Sequence, residues 1–188
     1  RNLSLKFFSG SELLSAGDKG ICDRFVIEWV NNVQAYNTRK SDGSGREVIQ
    51  EKHRLVFNGT DLEVFTSIKP LENVRMKTWY CYGAYVYYYP TVFYVGATNR
   101  SSDTLANLPY SGNSTPNKAV CYSNNDVLEM EVDRSIDIGN GDRYSEDRGM
   151  FVSGSKVYCF IIKDTNLTAN NIYSVKGTYR FYPNKGLY

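Results

Sequence analysis

Apolar residues in this chain recur at every second position and almost never at every third or fourth, and that regularity points away from a helical fold. Arg24 to Asn31 sets Phe25, Ile27 and Trp29 on one face, and Leu62 to Ile68 reads LEVFTSI. Val127 to Asp133 alternates Leu128, Met130 and Val132 with Glu129, Glu131 and Asp133. KVYCFII at 156–162 and SVKGTYRFY at 174–182 repeat the pattern. SELLSAG, residues 11–17, is the one stretch expected to form a turn or two of helix. Turn signals punctuate the strands: SDGSG at 41–45, Asn58-Gly59 and GNG at 139–141 can supply the positive backbone angles of tight hairpins. The expected fold is all-β, most simply a β-sandwich.

Composition then narrows function. The chain has 188 residues with 41% apolar, enough for a core that needs no metal or partner to form. A net charge of +2, with Lys and Arg scattered among Asp and Glu, offers no basic run for nucleic acid. No stretch of about 18 apolar residues spans a membrane or serves as a signal peptide. Arg1 in place of Met reads as a processed or trimmed start, with any anchor outside these residues. The single histidine, His53, sits among charges in QEKHRLVF and reads as a solvated side chain. No G-x-S-x-G elbow, H-E-x-x-H pair or phosphate-cradling glycine loop is present. Glu129 and Glu131 read as the solvent stripe of a strand, and the Asp137–Asp147 cluster lacks calcium-loop spacing. The expectation is a non-enzymatic chain with no cofactor and no metal site.

Four cysteines, Cys22, Cys81, Cys121 and Cys159, form no C-x-x-C pair and cannot make a zinc set with one histidine. An even count favours two disulfides. Five glycosylation sequons, at Asn2, Asn58, Asn99, Asn113 and Asn166, point with them to an extracellular or lumenal protein, either secreted or the ectodomain of a membrane glycoprotein.

MKTWYCYGAYVYYYP, residues 76–90, holds six tyrosines, more aromatic surface than one strand needs. Tyr87, Tyr88 and Tyr89 are consecutive, so a strand must turn at least one of them outward, and Pro90 breaks the ladder as at a loop tip. Exposed tyrosine gives rigid contact area at low entropic cost. Tyr85, Tyr87, Tyr88 and Tyr89 are the candidate binding residues.

FNGTDLEVFTSIKPLENVRMKTWYC, residues 57–81, resembles the D, E and F strands of an immunoglobulin variable-type domain, with Trp79 and Cys81 where that family keeps its corner tyrosine and core cysteine. Residues 82–98 are similar to a long third hypervariable loop returning into a G strand. The family's acidic and small residues before the cysteine are Arg75 and Lys77 here. The resemblance implies an immunoglobulin-like sandwich with insertions and extra strands, its tyrosines lining an F–G hairpin. Four cysteines permit three pairings, and spacing does not choose among them; Cys22–Cys81 with Cys121–Cys159 is taken forward. Residues 1–188 read as one enlarged domain. The alternative is a variable-type domain over 1–103 and a smaller one over 104–188, with the polar stretch 98–118 as linker.

A glycosylated, immunoglobulin-like chain with this cysteine pattern resembles the immune-evasion glycoproteins of murine cytomegalovirus. That resemblance implies a host–virus recognition module binding MHC class I and altering T-cell or natural killer recognition. Other readings are a receptor- or glycan-binding domain of a viral attachment protein and a host adhesion receptor of the immunoglobulin superfamily. A protein partner is expected in each, with glycan as the other partner class.

Overall fold

A computed structural model describes residues 1–86, 88, 89, 91–95, 102–104, 117–133, 135, 149–153 and 156–186. The chain is all-β, and no helix occurs among these residues. In chain order the strands are β1 (Asn2–Ser9), β2 (Glu12–Leu13), β3 (Arg24–Gln34), β4 (Glu47–Asn58), β5 (Asp61–Pro70), β6 (Val74–Tyr85), β7 (Thr91–Val95), β8 (Ser102–Thr104), β9 (Lys118–Tyr122), β10 (Asp126–Val132), β11 (Gly149–Ser153), β12 (Lys156–Leu167) and β13 (Tyr173–Pro183). Ten of them form one antiparallel sheet in the order β2-β1-β3-β4-β5-β13-β10-β9-β7-β8, and β11-β12-β6 form a second.

The hairpin between β4 and β5 follows directly from its sequence. Asn58 pairs with Asp61, leaving Gly59 and Thr60 as the turn. Gly59 has φ 59°, the left-handed angle a two-residue hairpin of type II′ takes at its first central position. Alternation along β5 then turns Val64, Thr66 and Ile68 inward. On β13 it turns Tyr173, Val175 and Tyr179 inward, and on β10 Leu128 and Met130.

The small sheet lies on this stripe with Trp79, Cys81, Tyr82, Val157, Cys159, Ile161 and Ile162 buried against it. Two tyrosine hydroxyls tie the sheets together, Tyr82 donating to the Glu131 carbonyl at 2.8 Å and Tyr179 to the Gly83 carbonyl at 2.9 Å. The register between β6 and β12 slips at Cys159/Phe160 and again at Phe160/Ile162. A bulge of this kind turns consecutive residues to the same side, so Cys81 with Tyr82, and Ile161 with Ile162, are both buried.

Strands sit about 4.8 Å apart, so ten span roughly 43 Å and three span roughly 10 Å. The small sheet therefore leaves the β1–β3–β4 end of the large sheet uncovered on its inner face, where Leu5, Phe7 and Phe57 are exposed.

Several expectations are corrected by this architecture. SELLSAG forms β2 and a loop, because Glu12 and Leu13 pair with Ser9 and Phe8 of β1. β6 and β7 belong to different sheets, β6 pairing with β12 and β7 with β8 and β9, so residues 82–98 do not make an F–G hairpin. A ten-stranded sheet against a three-stranded one is also far from the nearly balanced sheets of an immunoglobulin variable domain. Cys22 is exposed in the loop before β3, whereas Cys81, Cys121 and Cys159 are buried, and none is bridged. Neither pairing taken forward is formed: Cys22 is free in an exposed loop, and Cys81, Cys121 and Cys159 are free thiols in the core. Instead the Cys81 thiol donates to the Cys159 carbonyl at 3.3 Å.

Candidate functional site

Register places Trp29 opposite His53, and His53 opposite Thr66, across β3, β4 and β5. All three side chains point to the inner face, at the border between the covered core and the uncovered wing. The Trp29 and His53 rings stack with centroids 4.6 Å apart and planes 13° from parallel. His53 Nδ1 lies 3.2 Å from the Thr66 hydroxyl, which is itself buried. Glu51, two residues along β4 and hence on the same face, brings Oε2 to 3.5 Å from His53 Nε2. A carboxylate at Nε2 favours the tautomer with its proton on Nε2, leaving Nδ1 to accept from Thr66. The histidine is thus held on three sides. Its side chain stays 19% exposed and that of Glu51 27%, so a ligand can reach both.

From this cluster the inner face runs along β3 and β4 through Ile27 and Leu55 to Phe25 and Phe57. Phe25 stands between Phe7 and Phe57, 6.2 and 6.1 Å away. Beyond Phe25 the loop between β2 and β3 folds over the sheet end and encloses an open cleft of about 660 Å³, lined by Glu12, Asp18, Lys19, Ile21, Cys22 and Phe25 among others. The wing is therefore an aromatic floor with polar groups at both ends. Among the described residues no three His, Cys, Asp or Glu side chains are grouped to hold a metal ion.

The tyrosines divide into two sets. Tyr82 and Tyr179 point inward and meet edge to face at 5.6 Å; burial pushes the Tyr179 phenol well above its ordinary range. Tyr80 and Tyr85 point outward from the small sheet, 55% and 64% exposed. Tyr158 of β12 joins them, 5.1 Å from Tyr80, and Lys156 Nζ lies 4.6 Å over the Tyr85 ring. Of the other candidate binding residues, Tyr88 is exposed and Tyr89 packs against the core, while Tyr87 lies outside the described residues. Tyr85 thus shares a surface with Tyr80 and Tyr158, which the sequence reading did not single out, and not with a loop tip. Among the sequons, Asn2, Asn58 and Asn166 are exposed, while Asn99 and Asn113 lie outside the described residues. GNG 139–141 and the Asp137–Asp147 cluster also lie outside them.

Glu129 departs from the solvent stripe expected of it. It is 8% exposed on the outer face of the large sheet. Lys118 Nζ is 2.7 Å away, Arg180 is 3.6 Å away, and the Tyr182 hydroxyl donates at 2.7 Å.

No protein-family profile matches the chain, and no curated protein matches it. Among solved structures it is similar to one from Escherichia coli K12, provisionally assigned as an aldose 1-epimerase, with TM-score 0.47, 10% identity and coverage of 88% of this chain and 67% of that one. It is also similar to galactose 1-epimerase from Lactobacillus acidophilus NCFM, with TM-score 0.42, 8% identity and coverage of 95% and 75%. Likeness at this level fixes neither a reaction nor a substrate for this chain.

A ten-stranded sheet against a three-stranded one, with β6 and β7 in different sheets, is not the immunoglobulin variable-type arrangement that was expected, and the family reading is corrected accordingly. With it go the expected disulfide-bonded, MHC-binding viral module and its attachment-protein and adhesion-receptor alternatives. The reading of His53 as a solvated side chain is corrected too: the ring is pinned by Trp29, Thr66 and Glu51, and the expectation of a non-enzymatic chain, which leaned on it, is not carried forward. The missed signal was the i, i+2 spacing of Glu51 and His53, which puts a carboxylate and an imidazole on one face of any strand.

Proposed function

We propose that the uncovered wing of the large sheet binds a carbohydrate and that Glu51 and His53 move protons on it. The observation that carries this reading is the His53 ring, fixed by the Thr66 hydroxyl at one nitrogen and facing the Glu51 carboxylate with the other, yet open to ligand. Opening a sugar hemiacetal needs one proton removed from the anomeric hydroxyl and one delivered to the ring oxygen, and closing reverses both transfers. An imidazole and a carboxylate within reach of one ring can divide those two tasks. Trp29, stacked on the imidazole with planes 13° from parallel, fixes the plane of the ring. The aromatic floor at Phe7, Phe25 and Phe57 suits the C–H faces of a pyranose, and the polar rim of the cleft suits its hydroxyls.

Binding is tested by titrating D-galactose or D-glucose into the labelled protein while following the His53 ring and Trp29 indole proton resonances. Both resonances are expected to shift in a saturable way with either aldose. If they stay fixed while saturating sugar is present, the wing is not a carbohydrate site.

A further inference from the structure

The outward tyrosines belong to the small sheet's outer surface and share no residue with the His53 cluster, and the proposed proton transfer makes no use of them. Tyr80, Ala84 and Tyr85 of β6 with Lys156 and Tyr158 of β12 line a cleft of about 300 Å³ on the small sheet's outer surface. β6 and β12 pair Lys156 with Tyr85 and Tyr158 with Gly83, so a glycine stands opposite one ring and leaves the floor low between the aromatics. At Gly83 any Cβ would come within 2.7 Å of the Val157 carbonyl, so that low point is set by the backbone. The Tyr80 and Tyr158 rings meet at 43°, forming an angled trough.

At the end of the trough stands a cation. Lys156 Nζ lies 4.6 Å from the centroid of Tyr85 and 5.9 Å from that of Tyr158. Hydrogen bonds to the Tyr85 and Tyr158 hydroxyls raise its pKa, so the ammonium is charged throughout the neutral range. Among the described residues no carboxylate forms an ion pair with Lys156. The surface therefore combines flat apolar rings, phenol hydroxyls and one positive charge, held in place and without a carboxylate partner among the described residues. A ligand that complements all three has an apolar ring face, peripheral hydroxyls and a single anionic group on the ring. A hexuronate residue of a polysaccharide has these features, with its carboxylate at the edge of the pyranose. A lone lysine is a point charge and suits one carboxylate better than a phosphate, which takes several donors.

We infer that the Tyr80–Tyr85–Tyr158 surface with Lys156 is a second binding site, specific for an acidic sugar residue and separate from the wing that holds His53.

The test uses trigalacturonate and its methyl ester, which keeps the rings and removes the charge, titrated calorimetrically into the full chain. The acid is expected to bind about three- to fivefold tighter than the ester, the scale of one exposed ion pair. Lys156→Met should erase that preference while the ester's affinity is kept. The double variant Tyr80→Ala/Tyr158→Ala should weaken both ligands at least tenfold, as loss of anchoring aromatics does at interfaces. All these side chains are on the surface, and an unchanged melting temperature verifies that each variant folds. His53→Gln should leave both affinities as they are, which separates failure here from failure of the sugar site on the wing. Equal binding of acid and ester, an acid preference that survives Lys156→Met, loss of binding in His53→Gln, or no binding at millimolar ligand each overturns the proposal.

Discussion

A glutamate in an alternating strand reads as solvent-facing, yet Glu129 is the one buried charge among the described residues. Desolvation alone would raise its pKa; hydrogen bonds from Lys118 and Tyr182, with the charges of Lys118 and Arg180, outweigh that and hold it below the ordinary carboxylate value. A carboxylate depressed on folding stabilises the native state above its unfolded pKa, and that contribution is lost as pH falls through the folded value. Replacing Glu129 by Gln should therefore cost about 2 kcal/mol at neutral pH, the scale of charge-assisted hydrogen bonds. The difference between the two proteins should shrink below pH 4.5, which denaturant melts at several pH values will measure. The cysteines separate just as sharply. Cys22 is exposed, whereas burial pushes Cys121 up to about 12 and raises Cys81 well above the usual thiol value. A thiol reagent at neutral pH should label Cys22 alone in the native protein and all four cysteines after denaturation, as read by intact mass under non-reducing conditions.

At the level of elements, the alternation of β3, β5, β10 and β13 was legible because each runs in unbroken register through most of its length. The double bulge in β6 and β12 was not legible. It turns Cys81 and Tyr82 the same way, and nothing in YCYGAY announces the slip before its partner strand is known. The consequence reaches β13. Tyr82, driven inward, extends across to the large sheet, and a Cβ at Gly177 would stand 2.4 Å from its ring. Glycine at 177 is therefore the space the bulge requires. Gly177→Ala must displace a ring whose hydroxyl is bonded to the Glu131 carbonyl, and the expected loss is about 1–3 kcal/mol, typical of overpacking. A melting temperature equal to the parent's would mean that Tyr82 moves freely and does not pin the two sheets.

Across the whole molecule, strand content was readable and strand partnership was not. β5 lies beside β13 and β6 beside β12, pairs separated by about half the chain, and local patterning carries no record of such distant neighbours. The immunoglobulin resemblance arose from one correctly read feature: Trp79 and Cys81 do share the buried side of a strand, as alternation demands. Many all-β chains place an aromatic and a cysteine that way, so the feature marked a core strand and no particular family. His53 was misjudged for a related reason. Its charged neighbours in sequence, Lys52 and Arg54, point to the outer face, while its neighbours in space come from β3 and β5. Only the assembled sheet brings Trp29 and Thr66 to either side of it. The same width mismatch between sheets that leaves the wing uncovered makes this histidine reachable, so fold and site have one origin. The most direct measurement is the rate at which freshly dissolved α-D-galactose or α-D-glucose reaches its anomeric equilibrium, followed by polarimetry with and without the protein. The parent chain should accelerate it, and His53→Gln and Glu51→Gln should each lower that acceleration at least a hundredfold, as loss of a positioned acid or base does, with the melting temperature preserved. A parent protein that leaves both rates unchanged, or variants as active as the parent, would contradict proton transfer by this pair.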